Sequence, residues 1–310
     1  MINVLFGAKP DMWAEYEAPL NDAFAKSGLQ VDLSVDHAPS EVDYIIYSPA
    51  GTVSDFTPFT RCKAVMNLWA GVDSIVGNQT LTQPLCRMVD DSLSRGMVEW
   101  VVGHTLRHHL GMDRHILGQD GVWRSEFFPP VAPDRPVTIL GIGQLGAACG
   151  QALHQLGFPV TGWSRSAMDI PNIRCLQGDA GLQKALTGAE IVILLLPHTP
   201  RTENILNAER LALLASGACV INPGRGPLID DNALLAALDS GQIGHATLDV
   251  FRAEPLPADH PFWAQPQVTV TPHIAATTRP ETSSGIIADN IKRGEAGEPF
   301  LHLVDRTVGY

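Results

Sequence analysis

The sequence predicts an α/β fold made of two helix-covered parallel sheets, and three observations carry that prediction. Short apolar runs alternate with helical stretches along nearly the whole chain, the pattern that lays parallel strands under crossover helices. A glycine-rich turn between a strand and a helix sits at residues 141–146, with a further α/β region before it. The 310 residues are long enough for two domains, each with its own core.

In the first region, residues 3–6, 31–35, 44–47 and 64–67 read as strands, with a helix over 12–27. A long helix is expected from about 94 to 118, because Val98, Val101, Val102, Thr105, Leu106, His109 and Leu110 form one continuous stripe at helical spacing. An aromatic and Pro-rich stretch, 123–136, leads to a strand over 137–140. Further strands are expected at 160–163, 191–196, 219–222, 246–250 and 268–271, with a helix over 231–240 and a final one over 282–294. No internal repeat or low-complexity segment interrupts this order.

Composition narrows the function classes. Hydrophobic residues make up 45% and charged residues 17%, an ordinary globular balance. A formal charge of −12 and a pI near 5.3 argue against a nucleic-acid or anionic-membrane surface, so any anionic ligand must be held by local donors. Met1-Ile-Asn-Val-Leu-Phe6 lacks a basic signal region and reads as a strand, and no apolar run approaches the ~20 residues of a membrane span. Cys62, Cys86, Cys149, Cys175 and Cys219 are odd in number and scattered, which fits neither a disulfide framework nor a C-x-x-C site. The cytoplasm is the expected compartment. His104, His108 and His115 share one side of the expected long helix, but the Glu of a zinc-protease H-E-x-x-H pattern is missing. No metal is expected there, and a helix-packing or interface face is preferred.

Gly141-Ile142-Gly143-Gln144-Leu145-Gly146 is a G-x-G-x-x-G turn in the context that gives it meaning, after a strand and opening a helix within one βαβ unit. Gly141 permits the tight turn, Gly143 lets the backbone approach a pyrophosphate, and Gly146 lets helix and strand pack closely. The helix N-terminus then offers free N–H groups and a positive dipole end to the phosphates. About 20 residues further on, an NAD site carries Asp or Glu for the ribose hydroxyls. Here Ser164 and Arg165 stand instead, a hydroxyl and a guanidinium suited to a 2′-phosphate. The expected cofactor is NADP(H), with NAD(H) as the alternative.

Three polar clusters follow predicted strands: Asn222-Pro223-Gly224-Arg225-Gly226, Asp249-Val-Phe-Arg-Ala-Glu254-Pro255, and Thr271-Pro272-His273-Ile-Ala275. Ligands of an open α/β sheet bind beyond the carboxyl ends of its strands, so Arg225, Glu254 and His273 are expected at one edge. With the glycine turn, these clusters closely resemble the D-isomer-specific 2-hydroxyacid dehydrogenase family, in particular its glyoxylate/hydroxypyruvate reductase A branch. Asn67-Leu-Trp-Ala-Gly-Val-Asp73, Trp163-Ser164-Arg165, Leu234-Leu-Ala-Ala-Leu-Asp-Ser-Gly241, Glu254-Pro-Leu-Pro257 and the terminal Gly309-Tyr310 extend the likeness over nearly the whole chain.

The resemblance implies two Rossmann-like, doubly wound parallel-sheet domains with a cleft between them. Residues 1–97 with 281–310 would form the substrate domain and 98–280 the NADP-binding domain. It also implies a homodimer, and reduction of a small 2-keto acid to the 2-hydroxy acid. Carried onto this sequence, Arg225 would hold the substrate carboxylate and polarise the carbonyl. His273 would protonate the forming alkoxide, and Glu254 would orient the His273 ring and favour its charged form. Trp69, Ala70, Gly71 and Val72 would cradle the carboxylate with backbone N–H groups. Leu196, Pro197 and Asp249 would join Gly141, Gly143, Gln144, Leu145, Gly146, Ser164 and Arg165 along the cofactor. His198 borders that region and reads better as an exposed loop residue. Pro223-Gly224 departs from the pattern, since many relatives carry a small residue such as Ala before the arginine. Two rivals remain from the sequence: a phosphoglycerate-type or bulkier 2-hydroxyacid dehydrogenase, and a non-catalytic dinucleotide-sensing protein. No basic cluster near Trp69 that would receive a substrate phosphate is apparent in the sequence.

Overall fold

The computed structural model describes residues 1–307 and 309; Val308 and Tyr310, and so the last residue of the Gly309-Tyr310 motif, lie outside the described residues. The chain divides into two compact units, Met1–Leu93 with Thr277–Tyr310, and Ser94–Ala276. The crossings thus fall at 93/94 and 276/277, four residues before the expected 97/98 and 280/281.

The first unit begins with β1 (Ile2–Gly7), α1 (Trp13–Lys26), β2 (Val31–Ser34), β3 (Tyr44–Tyr47), β4 (Ala64–Asn67) and the short β5 (Leu85–Cys86). Its strands form a parallel sheet in the order β2-β1-β3-β4-β5. β3 and β4 are buried at every position, which is why they read as unbroken apolar runs rather than alternating ones. On α1, Tyr16, Leu20 and Phe24 recur every four residues and bury one stripe against this sheet.

The second unit opens inside α2 (Asp91–His109), and α3 (Met112–Ile116) follows before β6 (Val137–Leu140), α4 (Gln144–Gln155), β7 (Val160–Ser164), β8 (Arg174–Gln177) and α5 (Gly178–Leu186). Then come β9 (Ile191–Leu194), α6 (Ala208–Leu211), β10 (Ala218–Asn222), α7 (Asp231–Asp239), β11 (Ile243–Leu248) and β12 (Val268–Val270). All neighbours pair in parallel in the order β12-β11-β10-β9-β6-β7-β8. The chain winds outward from β6 through β7 to β8, then restarts at β9 on the other side, so the switch point lies between β6 and β9. Register fixes what this edge can gather. Leu140 lies beside both Trp163 and Leu194, Ile193 beside Ile221, Asn222 beside Leu248, and Leu248 beside Val270. The loops after these strands therefore leave the sheet along one line. The chain then returns to the first unit through α8 (Pro280–Ala296), which adds Ile287, Ala288 and Ile291 to the α1 core and ends on left-handed Gly297.

One expected element is corrected. The long helix over 94–118 is two helices, broken at Gly111, whose φ of +59° is left-handed and ends the α-helical ladder. A Cβ there would also lie 2.6 Å from the Phe127 ring. His115 consequently does not continue the His104–His108 face. Two strands are new: β5 has only two residues, and β8 is an edge strand exposing its Arg and Gln ends. Among the described residues, no helix is long and apolar enough to cross a membrane.

Candidate active site

The glycine turn has the geometry its spacing requires. Gly141 sits at φ +102°, and a Cβ on it would come within 2.6 Å of the Leu195 carbonyl carbon. A Cβ on Gly146 would lie 1.9 Å from the Gly141 carbonyl oxygen, so only glycine allows α4 to start this close to β6. Gly143 differs: a Cβ would meet nothing within 4 Å, so this face of the turn is open to a ligand. Gly143 is the N-cap of α4 and no side chain caps the helix, which leaves the first-turn N–H groups of Gln144, Leu145 and Gly146 available to an anion. Leu196 is nearly buried beside this turn, with Pro197 following it. At the end of β7, Ser164 Oγ donates to the Ser166 carbonyl at 2.6 Å and the Arg165 side chain is exposed. These residues fit a dinucleotide carrying a 2′-phosphate.

At the end of β11 the polar loops converge on Asp249, which is 1% exposed. Its Oδ1 accepts from Thr271 Oγ1 at 2.6 Å and from the Ile274 N–H at 2.9 Å, and its Oδ2 accepts from the Ala275 N–H at 2.9 Å. The Asp249 carbonyl also takes the His273 N–H at 2.8 Å. His273 is held at φ +55°, a region that costs a non-glycine residue roughly 1–2 kcal/mol. The Asp249 carboxylate offsets that cost by collecting the two N–H groups that the turn presents. Expected as a cofactor contact, Asp249 is foremost the anchor of the His273 turn.

That turn brings His273 Nδ1 to 2.7 Å from Glu254 Oε2, while Glu254 Oε1 accepts the Phe251 N–H at 2.9 Å. Burial pushes the Glu254 pKa up, but hydrogen bonds from His273 and Phe251 and the charges of His273 and Arg225 outweigh it, so the carboxyl is held below its usual range. Glu254 is thus an ionised partner that fixes the ring through Nδ1 and leaves Nε2 directed elsewhere.

Arg225 is positioned by its own loop. Asn222 Nδ2 donates to the Arg225 carbonyl at 2.9 Å, Asn222 Oδ1 accepts the Gly224 N–H at 3.1 Å, and Arg225 donates to the Gly224 carbonyl at 2.7 Å. A Cβ on Gly224 would lie 2.8 Å from the Leu194 carbonyl oxygen, so this loop lies close against the end of β9. A Cβ on Gly226 would lie 2.0 Å from the Phe251 carbonyl carbon, so the Arg225 and Glu254 loops touch backbone to backbone.

Two positive residues were not singled out in the sequence. Arg252 ties three loops together, donating to Ile229 O at 2.7 Å, to Glu203 Oε1 at 3.0 Å and to Asn204 Oδ1. Glu203 also pairs with His198 at 2.7 Å, so His198 is a bound loop residue rather than a free one. In the other unit, Lys9 Nζ sits 5.6 Å from the centre of the Trp69 ring, the cation that sequence inspection did not find near this loop. Its position beyond the carboxyl end of β1 was the available signal. The loop itself is shaped by Asn67 Nδ2, which donates to the carbonyls of Trp69 and Gly71, both at 2.8 Å. No acceptor among the described residues takes the backbone N–H groups of Trp69, Ala70, Gly71 or Val72, which suits them to an anionic ligand.

Known proteins are similar to this chain in sequence and fold. Residues 100–275 match the model of the D-isomer specific 2-hydroxyacid dehydrogenase NAD-binding domain. A glyoxylate/hydroxypyruvate reductase A of Yersinia enterocolitica is 39% identical over 259 residues, 80% of this chain and 82% of that protein. A D-isomer specific 2-hydroxyacid dehydrogenase of Xanthobacter autotrophicus, solved with NADPH and MES, superposes with a TM-score of 0.92 at 40% identity, covering 100% of this chain and 99% of the other. An NADPH-dependent glyoxylate/hydroxypyruvate reductase of Sinorhizobium meliloti, solved with NADP and sulfate, gives 0.87 at 35% identity over 100% of both chains. The chain belongs to the D-isomer-specific 2-hydroxyacid dehydrogenase family.

The anchoring role of Asp249 predicts the effect of Asp249→Asn. The amide would face at least one backbone N–H with a second donor, so the variant should lose about 1–3 kcal/mol of stability in chemical denaturation. A denaturation midpoint equal to that of the unmodified protein would show that the His273 turn holds itself.

Proposed function

We propose that this protein is an NADPH-dependent reductase of small 2-keto acids, with glyoxylate and hydroxypyruvate as first candidates. The observation that carries the reading is the Glu254–His273 pair at 2.7 Å, on a loop in backbone contact with the Arg225 loop. The names of the Yersinia and Sinorhizobium relatives supply the substrate candidates, and the NADPH and NADP bound in the two solved relatives support the cofactor. In this reading the units divide the work, with 94–276 binding the cofactor and 1–93 with 277–310 contributing to substrate binding. Gly141, Gly143, Gln144, Leu145, Gly146, Ser164, Arg165, Leu196, Pro197 and Asp249 are the proposed cofactor contacts.

Bound NADPH supplies a hydride to the carbonyl carbon of the keto acid. Arg225 holds the substrate carboxylate through its planar fork and draws electron density towards the carbonyl oxygen. In the other unit, the Trp69–Ala70–Gly71–Val72 N–H groups are the proposed donors to an anionic substrate group. As negative charge develops on the carbonyl oxygen, His273 donates its Nε2 proton there. Glu254, ionised and bonded to Nδ1, keeps the ring oriented and stabilises its charged form until that proton leaves.

The protein is also proposed to form a homodimer and to reside in the cytoplasm. Ile116, Leu117, Val122, Trp123 and Phe128 are all exposed, Trp123 at 93%, which gives residues 116–128 an apolar character suited to a second copy. Light scattering should return twice the 33.4 kDa chain mass, and a monomer would refute the dimer. The five cysteines are all free, as a reducing compartment favours.

Two measurements test the reaction. A panel of 2-keto acids assayed with NADPH and NADH should show turnover of glyoxylate or hydroxypyruvate with a lower KM for NADPH. Arg165→Ala should raise the NADPH KM by an amount equivalent to about 1.5–3 kcal/mol. Absence of turnover would sink the enzymatic reading; equal KM values for both cofactors would remove Arg165 from its role.

The second measurement is the kinetics of Glu254→Gln. The Glu254 carboxyl is held below its usual range, so the unmodified side chain carries its charge at neutral pH. Glu254→Gln keeps the shape but removes the charge beside His273 Nδ1, so it should lower kcat far more than it changes the KM for keto acid or NADPH. An unchanged kcat would mean that Glu254 serves packing alone.

A further inference from the structure

We propose that His108, Asp113 and His245 form a binding site for a divalent transition-metal ion of the Zn²⁺ class. The three residues come from α2, α3 and β11, and one ligand atom from each lies within 4.8 Å of the others. None belongs to the candidate active site. The break at Gly111 creates the group, because it turns the chain after His108 and starts a new helix that carries Asp113. His245 and Thr247 share one face of β11, and that face meets α2 through the His108–Thr247 bond.

The chemistry of the donors favours a metal over a simple polar contact. Each ring uses Nε2 on a threonine hydroxyl, His108 on Thr247 and His245 on Thr269, both at 2.8 Å. In the tautomer that donates from Nε2 to the threonine, Nδ1 of each ring carries the lone pair, and the threonines act as the outer partners that orient metal-bound imidazoles. Neutral imidazole is the form that binds metal.

Asp113 supplies the negative charge. Arg107 Nε occupies Oδ1 at 2.8 Å, which leaves Oδ2 for an ion. The nearby guanidinium lowers affinity for any cation, so binding is expected to be moderate rather than tight. Ligands on tetrahedral Zn²⁺ are about 3.4 Å apart, given bond lengths of about 2.1 Å. The donors, within 4.8 Å of one another, must therefore close by up to about 1.4 Å, a movement that α3, only five residues long and joined through a glycine, can supply. Two imidazoles and one carboxylate, with a water as fourth ligand, select Zn²⁺, Co²⁺ or Ni²⁺ over Mg²⁺ or Ca²⁺. A bound ion would pin α3 to β11.

The test is calorimetric titration of ZnCl₂ into the chelator-treated full chain, with Co²⁺ absorption as a second probe of ligand geometry. One equivalent should bind, and His245→Asn and Asp113→Asn should each weaken binding at least tenfold. His273→Ala, which removes the imidazole of the His273–Glu254 pair, should leave the Zn²⁺ affinity unchanged. Zn²⁺ should also raise Tm of the unmodified chain and not that of His245→Asn. Failure to bind one equivalent, binding unaffected by both site variants, or binding lost with His273→Ala would each overturn the proposal.

Discussion

The candidate site depends on one buried carboxylate. Asp249 stands one residue beyond β11, where its own N–H makes the last bond to β10, with the Asn222 carbonyl at 3.0 Å. Its two oxygens take a hydroxyl and two backbone N–H groups from residues 271–275. The left-handed turn at His273 is stable because these donors have an acceptor inside the fold. The ring then meets Glu254 from the loop after β11, whose own carboxylate is held by the Phe251 N–H. The strain at His273 and the satisfaction of Asp249 are two sides of one arrangement.

The sheet supplies the second constraint. Because the strands are aligned in register at their carboxyl ends, the loops after β6, β9, β10, β11 and β12 emerge along one line. Close approach between those loops demands residues without side chains. Gly141 and Gly146 let α4 begin against β6 and β9, and Gly226 lets the Arg225 loop lie on Phe251. Arg252 reinforces the same contact through Ile229 and Glu203. An open Gly143 beside crowded Gly141 and Gly146 distinguishes glycine kept for a ligand from glycine kept for packing.

Much of this was legible in the sequence, for reasons that differ by element. β3, β4 and β6 match the expected ranges because strands buried on both faces leave unbroken apolar runs. The glycine turn was legible because its spacing is itself the steric requirement. Arg225, Glu254 and His273 each follow a strand, so topology alone predicts a common edge. Other features are not local. The apolar stripe of α2 runs on through Leu110, and nothing in its period announces that Gly111 turns left-handed. β8 is a polar edge strand whose pattern resembles a loop. The partners of Arg252 lie 21 to 49 residues away, and His245 lies more than a hundred residues from His108. Lys9 met Trp69 only once β1 and β4 were placed in one sheet.

The central claim is that anchoring and proton donation are separate tasks of Arg225 and His273. Steady-state kinetics of Arg225→Lys and His273→Ala, each with NADPH and a turned-over keto acid, test it most directly. Arg225→Lys keeps the charge but loses the fork, so it should raise the keto-acid KM and lower kcat together. His273→Ala should lower kcat by about 10²–10⁴-fold with a much smaller change in KM and NADPH affinity nearly intact. A His273→Ala variant that retains the kcat of the unmodified enzyme would contradict the account, because the proton would then come from another group.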